Sequence, residues 1–129
     1  MMTRFVTGIA IIALLSACAT EGGQNVKDFF RPASKGQPAL TAGLKQYEEG
    51  DYADSVKSLQ SAIEQGLTEK ERVNAHKHLA FINCASNRER QCRDEFRKAL
   101  AVDPTMELAP AEAGHPIWGP IFRSLKAGR

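Results

Sequence analysis

The chain has 129 residues, of which 43% are hydrophobic and 25% charged. That is ordinary globular usage on the scale of one domain, and it excludes collagen-like and wholly disordered chains. A net charge of +2, 7% aromatics and a single Trp leave neither the basic face nor the stacking platforms of a nucleic-acid binder.

The N-terminus reads as an address. Phe5 to Leu15 run without a charge behind Arg4. The run is too short to span a bilayer, which takes about 20 apolar residues, and it has the length and flanks of a secretory signal. It ends in Leu15-Ser16-Ala17-Cys18. That ending resembles the bacterial lipobox, with a Leu and two small residues before the Cys. The resemblance implies cleavage after residue 17, a diacylglycerol on the Cys18 thiol and an acyl chain on its freed amine. No other cofactor is expected. Each buried methylene contributes about 0.8 kcal/mol, so two or three acyl chains hold a protein that one would not. Ala19, by the sorting rules of enteric lipoproteins, favours the outer membrane over the inner, with the domain facing the periplasm. The competing reading is an ordinary signal peptide with a chance Cys.

Residues 18–37 read as a tether rich in Gly, Ser, Asn, Gln and Pro, without apolar periodicity. About nineteen such residues have an r.m.s. span of roughly 24 Å and stretch to roughly 60 Å. Phe29-Phe30 interrupts it, either as a local contact with the folded domain or as a docking motif.

Residues 38–129 are expected to form an all-α domain of two helix hairpins and a C-terminal capping helix. From Ala39 the apolar residues recur at helical spacing, and ALTAGLKQYEEGDYADSVKSLQSAI resembles one tetratricopeptide unit. Gly43 is the small residue that lets a second helix approach. Gly50-Asp51-Tyr52 makes the turn, and Ser55, Leu59 and Ala62 face inward. In the second unit Leu79, Ala80, Cys92, Phe96, Ala99 and Pro104 take the repeat's characteristic positions. Pro104 stops the last helix. Ala62 and Ala99 fall 37 residues apart against a repeat of about 34, and the surplus fits the loop at Gln65–Thr68.

Two such units leave apolar surface uncovered. Pro116 is expected in the first turn of a last helix, with Ile117, Trp118, Ile121, Phe122 and Leu125 as one apolar stripe. Gly119-Pro120 should distort its start. The stripe covers Phe96 and Leu100, or else stands exposed for a partner.

With Cys18 acylated, Cys84 and Cys92 remain as a pair. An oxidising compartment favours a bridge, and the two lie on opposite arms of a hairpin turning near Asn87-Arg88. Two buried thiols or a metal site are the alternatives. CxxC spacing is absent, and His76 and His78, two apart on a helix, point different ways, so no metal is expected.

Motifs of catalysis are missing: there is no phosphate loop, HExxH, GxSxG or EF-hand spacing. Glu48, Glu49, Asp51 and Asp54 cluster on the first hairpin and read as a solvated face. Arg90, Arg93 and Arg97 line one side of the second unit's last helix, with Arg90–Asp94 as an i, i+4 pair. They read as solvated, or as a patch for an acidic partner or lipid headgroups. Tyr47, His76 and Asn83 lie where inner helices of such repeats contact a bound segment. At His76 and Asn83 the sequence departs from the repeat's usual Trp and Tyr.

The segments LAFINC (Leu79 to Cys84), RERQCRDEFRKAL (Arg88 to Leu100) and LAPAEAGHPIWGPIFRSLK (Leu108 to Lys126) resemble the TssQ family of lipoproteins associated with type VI secretion. The resemblance covers roughly residues 40 to 129 and is strongest after Ala75. It implies a non-enzymatic adaptor beside the secretion machine's membrane complex, with envelope proteins as partners. No nucleic acid or small-molecule substrate is implied. A pilotin or outer-membrane assembly lipoprotein is the alternative, and a small thiol-redox protein using Cys84 and Cys92 is a third.

Overall fold

The computed structural model describes residues 32–128, and among these all regular structure is helical. Six helices follow in order: α1 (Gln37–Glu48), α2 (Tyr52–Gln65), α3 (Glu69–Ala85), α4 (Glu89–Val102), α5 (Pro110–Ala113) and α6 (Trp118–Ala127). Cys18 and Phe29-Phe30 lie outside the described residues.

Helices α1 and α2 pack as a hairpin, and its closest approach is set by Gly43. A Cβ there would stand 2.8 Å from the fully buried Leu59 side chain. The bare backbone instead lets Ser55 Oγ donate to the Gly43 carbonyl at 2.7 Å. The turn is made by Gly50, whose φ of +80° is open to glycine at little cost. The first described contacts precede α1. The Gly36 amide donates to the Gly66 carbonyl at 2.9 Å, and α1 starts at Gln37. Pro38 takes the first turn of α1, where its missing N–H leaves no acceptor unfilled.

Helix α3 opens on a capping box. The Glu71 amide donates to Thr68 Oγ1, and the Thr68 amide donates to the Glu71 carboxylate. The α3 helix is the spine of the domain. Ala75, Leu79 and Ile82 pack with Leu40, Leu59 and Ala62 of the first hairpin. Ala80, Phe81 and Cys84 pack with Phe96, Ala99, Leu100 and Phe122 in a second cluster. A helix covered on two sides shows no single apolar stripe, and the sequence of α3 shows none.

The α3–α4 turn passes through Asn87 in the left-handed region (φ 58°), a conformation that Asn tolerates. Cys84 and Cys92 flank it, with sulfurs at bonding distance and Cα atoms 5.1 Å apart. Both are buried. Helix α4 ends at Val102, two residues before Pro104, and the Asp103 carboxylate accepts the Thr105 amide as the chain turns away.

The C-terminal helix starts two residues later than Pro116 suggested. Pro120 explains the shift. Its ring would clash with the carbonyl of residue 116 in a helix begun there. As the third residue of α6 it needs no N–H partner. Phe122 reaches the core, its ring 5.3 Å from that of Phe96, and Ile121 and Leu125 pack beside it. The helix therefore covers α4. Ile117, expected in the apolar stripe, is 45% exposed because it precedes the helix and faces away from the core.

Candidate protein-binding face

A continuous row of rings crosses the domain from the first hairpin to the C-terminal segment. Tyr52 and Tyr47 meet at 5.6 Å between ring centroids. His78 stands edge-on to Tyr47 at 4.9 Å, and Phe81 lies 5.6 Å beyond His78. Trp118 stacks on Phe81 at 4.4 Å, and His115 stacks on Trp118. The row is built by spacing. His78 and Phe81 are three apart on α3 and share a side. Tyr47 ends α1 and Tyr52 begins α2, so the tight turn between them brings their rings together.

Burial varies along the row. Phe81 is fully buried, Tyr47, His78, Trp118 and His115 are half-buried, and Tyr52 is 42% exposed. The Trp118 indole N–H donates to the Glu112 carbonyl at 2.9 Å, and the Glu112 carboxylate accepts Lys77 Nζ at 2.8 Å. These bonds fix the short helix α5 against α3.

Electrostatics at the Tyr47 end favour donors. His78 Nδ1 lies 2.9 Å from the Asn74 carbonyl. A carbonyl only accepts, so Nδ1 carries the proton and Nε2 is the acceptor in the neutral ring. Burial lowers the His78 pKa, against the opposing Asn74 hydrogen bond, and Lys77 adds to the lowering. The ring is therefore neutral at pH 7. Burial raises the Tyr47 pKa, helped by Tyr52 and Glu112. Glu48 and Glu112 are both close enough to act on His78.

Of the residues singled out from sequence, Tyr47 lies in this row. His76 does not. It is buried between α3 and α4, where Nδ1 donates to Glu95 Oε2 at 2.6 Å. Burial pushes the Glu95 carboxyl up, but hydrogen bonds from His76 and Lys98 outweigh it and hold the group below its usual range. Asn83 is occupied locally, donating to the Leu79 carbonyl and accepting from Arg88 Nε. Both thus make hydrogen bonds within the domain.

The arginine stripe is paired differently from the expected Arg90–Asp94. Arg97 takes Asp94 at 2.9 Å, and Arg93 takes Glu89 at 2.9 Å and also reaches Ser124. Arg90 is exposed. Among the described residues no group of three or more His, Cys, Asp or Glu stands ready to hold a metal. No helix among them is long and apolar enough to cross a membrane.

Sequence reasoning missed Tyr52, His78 and His115 as parts of one face. The i, i+3 relation of His78 to Phe81 was visible. The contribution of the C-terminal turn was not, because it depends on where α6 begins. No protein-family model, curated protein or solved structure matches this chain.

Proposed function

We propose that this chain is a lipid-anchored, non-enzymatic adaptor of the bacterial cell envelope whose helical domain captures a partner segment on its aromatic face. In this reading Cys18 carries the lipid, the tether gives reach, and the two hairpins with their capping helix are a short tetratricopeptide-type repeat. The observation that carries it is the ring row itself. Half-exposed aromatics spanning four separate segments supply area, rigidity and polar edges of the kind concentrated at protein interfaces. Helices α1 and α3, which carry Tyr47, His78 and Phe81 of the row, are the first helices of each hairpin, the ones that line the concave side of repeats of this type.

The type VI secretion system is the proposed setting, supported by the resemblance of the segments after Ala75 to the TssQ lipoproteins. Outer-membrane anchoring is proposed from Ala19. A redox role is less favoured, because Cys84 and Cys92 are both buried and exchange requires access for an attacking thiolate.

The test is recovery of partners with the full chain from detergent-solubilised envelope. Type VI membrane-complex or baseplate proteins are expected, and their yield should fall in Tyr52→Ala. Pilus or outer-membrane assembly components, with no type VI protein, would overturn the setting. Cys18→Ala should move the protein out of the membrane fraction, and an unchanged distribution would overturn the anchor.

A further inference from the structure

The adaptor reading leaves the partner's chemistry open, and the Tyr47 end of the face narrows it. Its aromatic rings, free imidazole nitrogen and unpaired carboxylates accept hydrogen bonds or attract a cation. The two tyrosine rings offer π faces, and Tyr52 is the more exposed. Nδ1 of His78 is committed to the Asn74 carbonyl, which leaves Nε2 as an acceptor. Glu48 and Asp51 flank the rings on the exposed α1–α2 turn.

The nearby cations are already engaged by other acids. Lys45 lies 3.8 Å from Glu49, Lys57 3.0 Å from Asp54 and Lys77 2.8 Å from Glu112. Glu48 and Asp51 make no ion pair among the described residues. The site thus presents negative charge, π density and a lone pair, with no cation of its own free to fill it. A planar guanidinium meets all three demands, since it stacks on rings, donates in several directions and stays charged at any working pH.

We infer that the Tyr47–Tyr52–His78 end of the face takes an arginine side chain projecting from an otherwise apolar partner segment. The apolar part lies along the row toward Trp118. An acidic or neutral segment would leave the Glu48 and Asp51 carboxylates facing repulsion or nothing. This inference rests on the adaptor reading, and its test separates the two.

A random dodecapeptide library is selected against the full chain in detergent, with three variants run in parallel. These are Tyr52→Ala, the double charge reversal Glu48→Lys with Asp51→Lys, and Arg90→Glu as a control on α4, outside the ring row. All four positions are exposed, so the variants should keep the wild-type circular dichroism, which is recorded for each. Binders lost in Tyr52→Ala should carry arginine at threefold or more its frequency in the unselected pool. They should weaken at least tenfold in the double reversal and be unaffected by Arg90→Glu. Tyr52-dependent binders without cationic enrichment, or unweakened by the double reversal, would overturn the arginine inference and leave the adaptor face standing. Selection yielding no Tyr52-dependent binder would overturn both.

Discussion

Breaking the Cys84–Cys92 bridge should cost the domain much of its margin of stability. The two residues are eight apart in sequence. In the chain-entropy description, closing a loop of that size removes about 8 cal/mol/K from the unfolded ensemble, or about 2.5 kcal/mol at 25 °C. Native domains are stable by only about 5–15 kcal/mol. For a domain of this size each kcal/mol moves the melting temperature by about 4–8 °C, so reduction should lower it by about 10–20 °C. Reduced wild-type protein is a cleaner comparison than a Cys→Ala pair, because it keeps both buried sulfurs and changes only the bond. The assay is thermal unfolding by circular dichroism after reduction in denaturant and refolding with reductant present. Mass spectrometry with a thiol-reactive label confirms the redox state. A drop below about 3 °C would refute the reasoning, since it would mean that the α3–α4 hairpin already holds these residues together in the unfolded state. A Cys84–Cys92 pair that reductant opens and label reaches readily in the native protein, without denaturant, would refute the burial argument against redox exchange.

Three other perturbations address separate parts of the fold. Gly43→Val should destabilise the first hairpin by about 1–3 kcal/mol, read as a lowered urea midpoint, because its Cβ would press on Leu59, which has no space to move; an unchanged midpoint would show that α1 and α2 can separate freely. Phe122→Ala should cost about 3–5 kcal/mol and lower a single cooperative transition, whereas a two-step melt would show that α6 is not part of the core it covers. Acidification should act through His78, whose pKa is lowered in the folded state by burial and then by Lys77, against the Asn74 bond and the fields of Glu48 and Glu112. Between the folded value and the ordinary one near 6.5 the unfolded chain binds the extra proton, so stability falls as pH drops below about 6.5 and levels off beneath the folded value. His78→Phe should flatten that slope in urea midpoints, and a slope identical to wild type would assign it elsewhere. Glu95, held low by His76 and Lys98 against burial, contributes stability that persists above the ordinary carboxylate range and is lost as pH falls through its depressed value.

The helices and most of their contacts were legible because local signals agreed with the tertiary ones. Gly43 opposite Leu59, the turn at Gly50, the stop before Pro104 and the Cys84–Cys92 pair each follow from a residue type doing one thing at one place. What was not legible depended on competition between equivalent options. Pro116 and Pro120 both suit a first helical turn, and only the clash of Pro120 with the preceding carbonyl decides between them. Asp94 has an arginine at i−4 and another at i+3, and the choice of Arg97 rests on rotamers that spacing does not fix. His76 and His78 have the same chemistry, yet the α3–α4 interface takes one and the aromatic face takes the other. Knowing which required knowing that α3 is buried on two sides. The ring row draws on four segments, and no periodicity within one segment reveals a neighbour from another.

The aromatic face and the core share a residue, and this shapes how binding can be tested and how it can have evolved. Phe81 is buried among Ala80, Phe96 and Phe122, yet it also stacks on Trp118 and sits beside His78. Removing it would cost about 3–5 kcal/mol of folding free energy before any effect on a partner appeared. The Trp118 end is tied down in the same way, by its indole bond to Glu112 and that residue's pair with Lys77. At the other end Tyr52, Glu48 and Asp51 are exposed and carry little of the fold. Specificity can therefore vary at the α1–α2 turn without endangering the structure, while the Phe81–Trp118 end supplies a fixed apolar platform. A partner contact confined to the platform would be nearly inseparable from stability by mutation. One that reaches the turn is separable, and for that reason Tyr52, Glu48 and Asp51 are the positions at which binding and folding can be told apart.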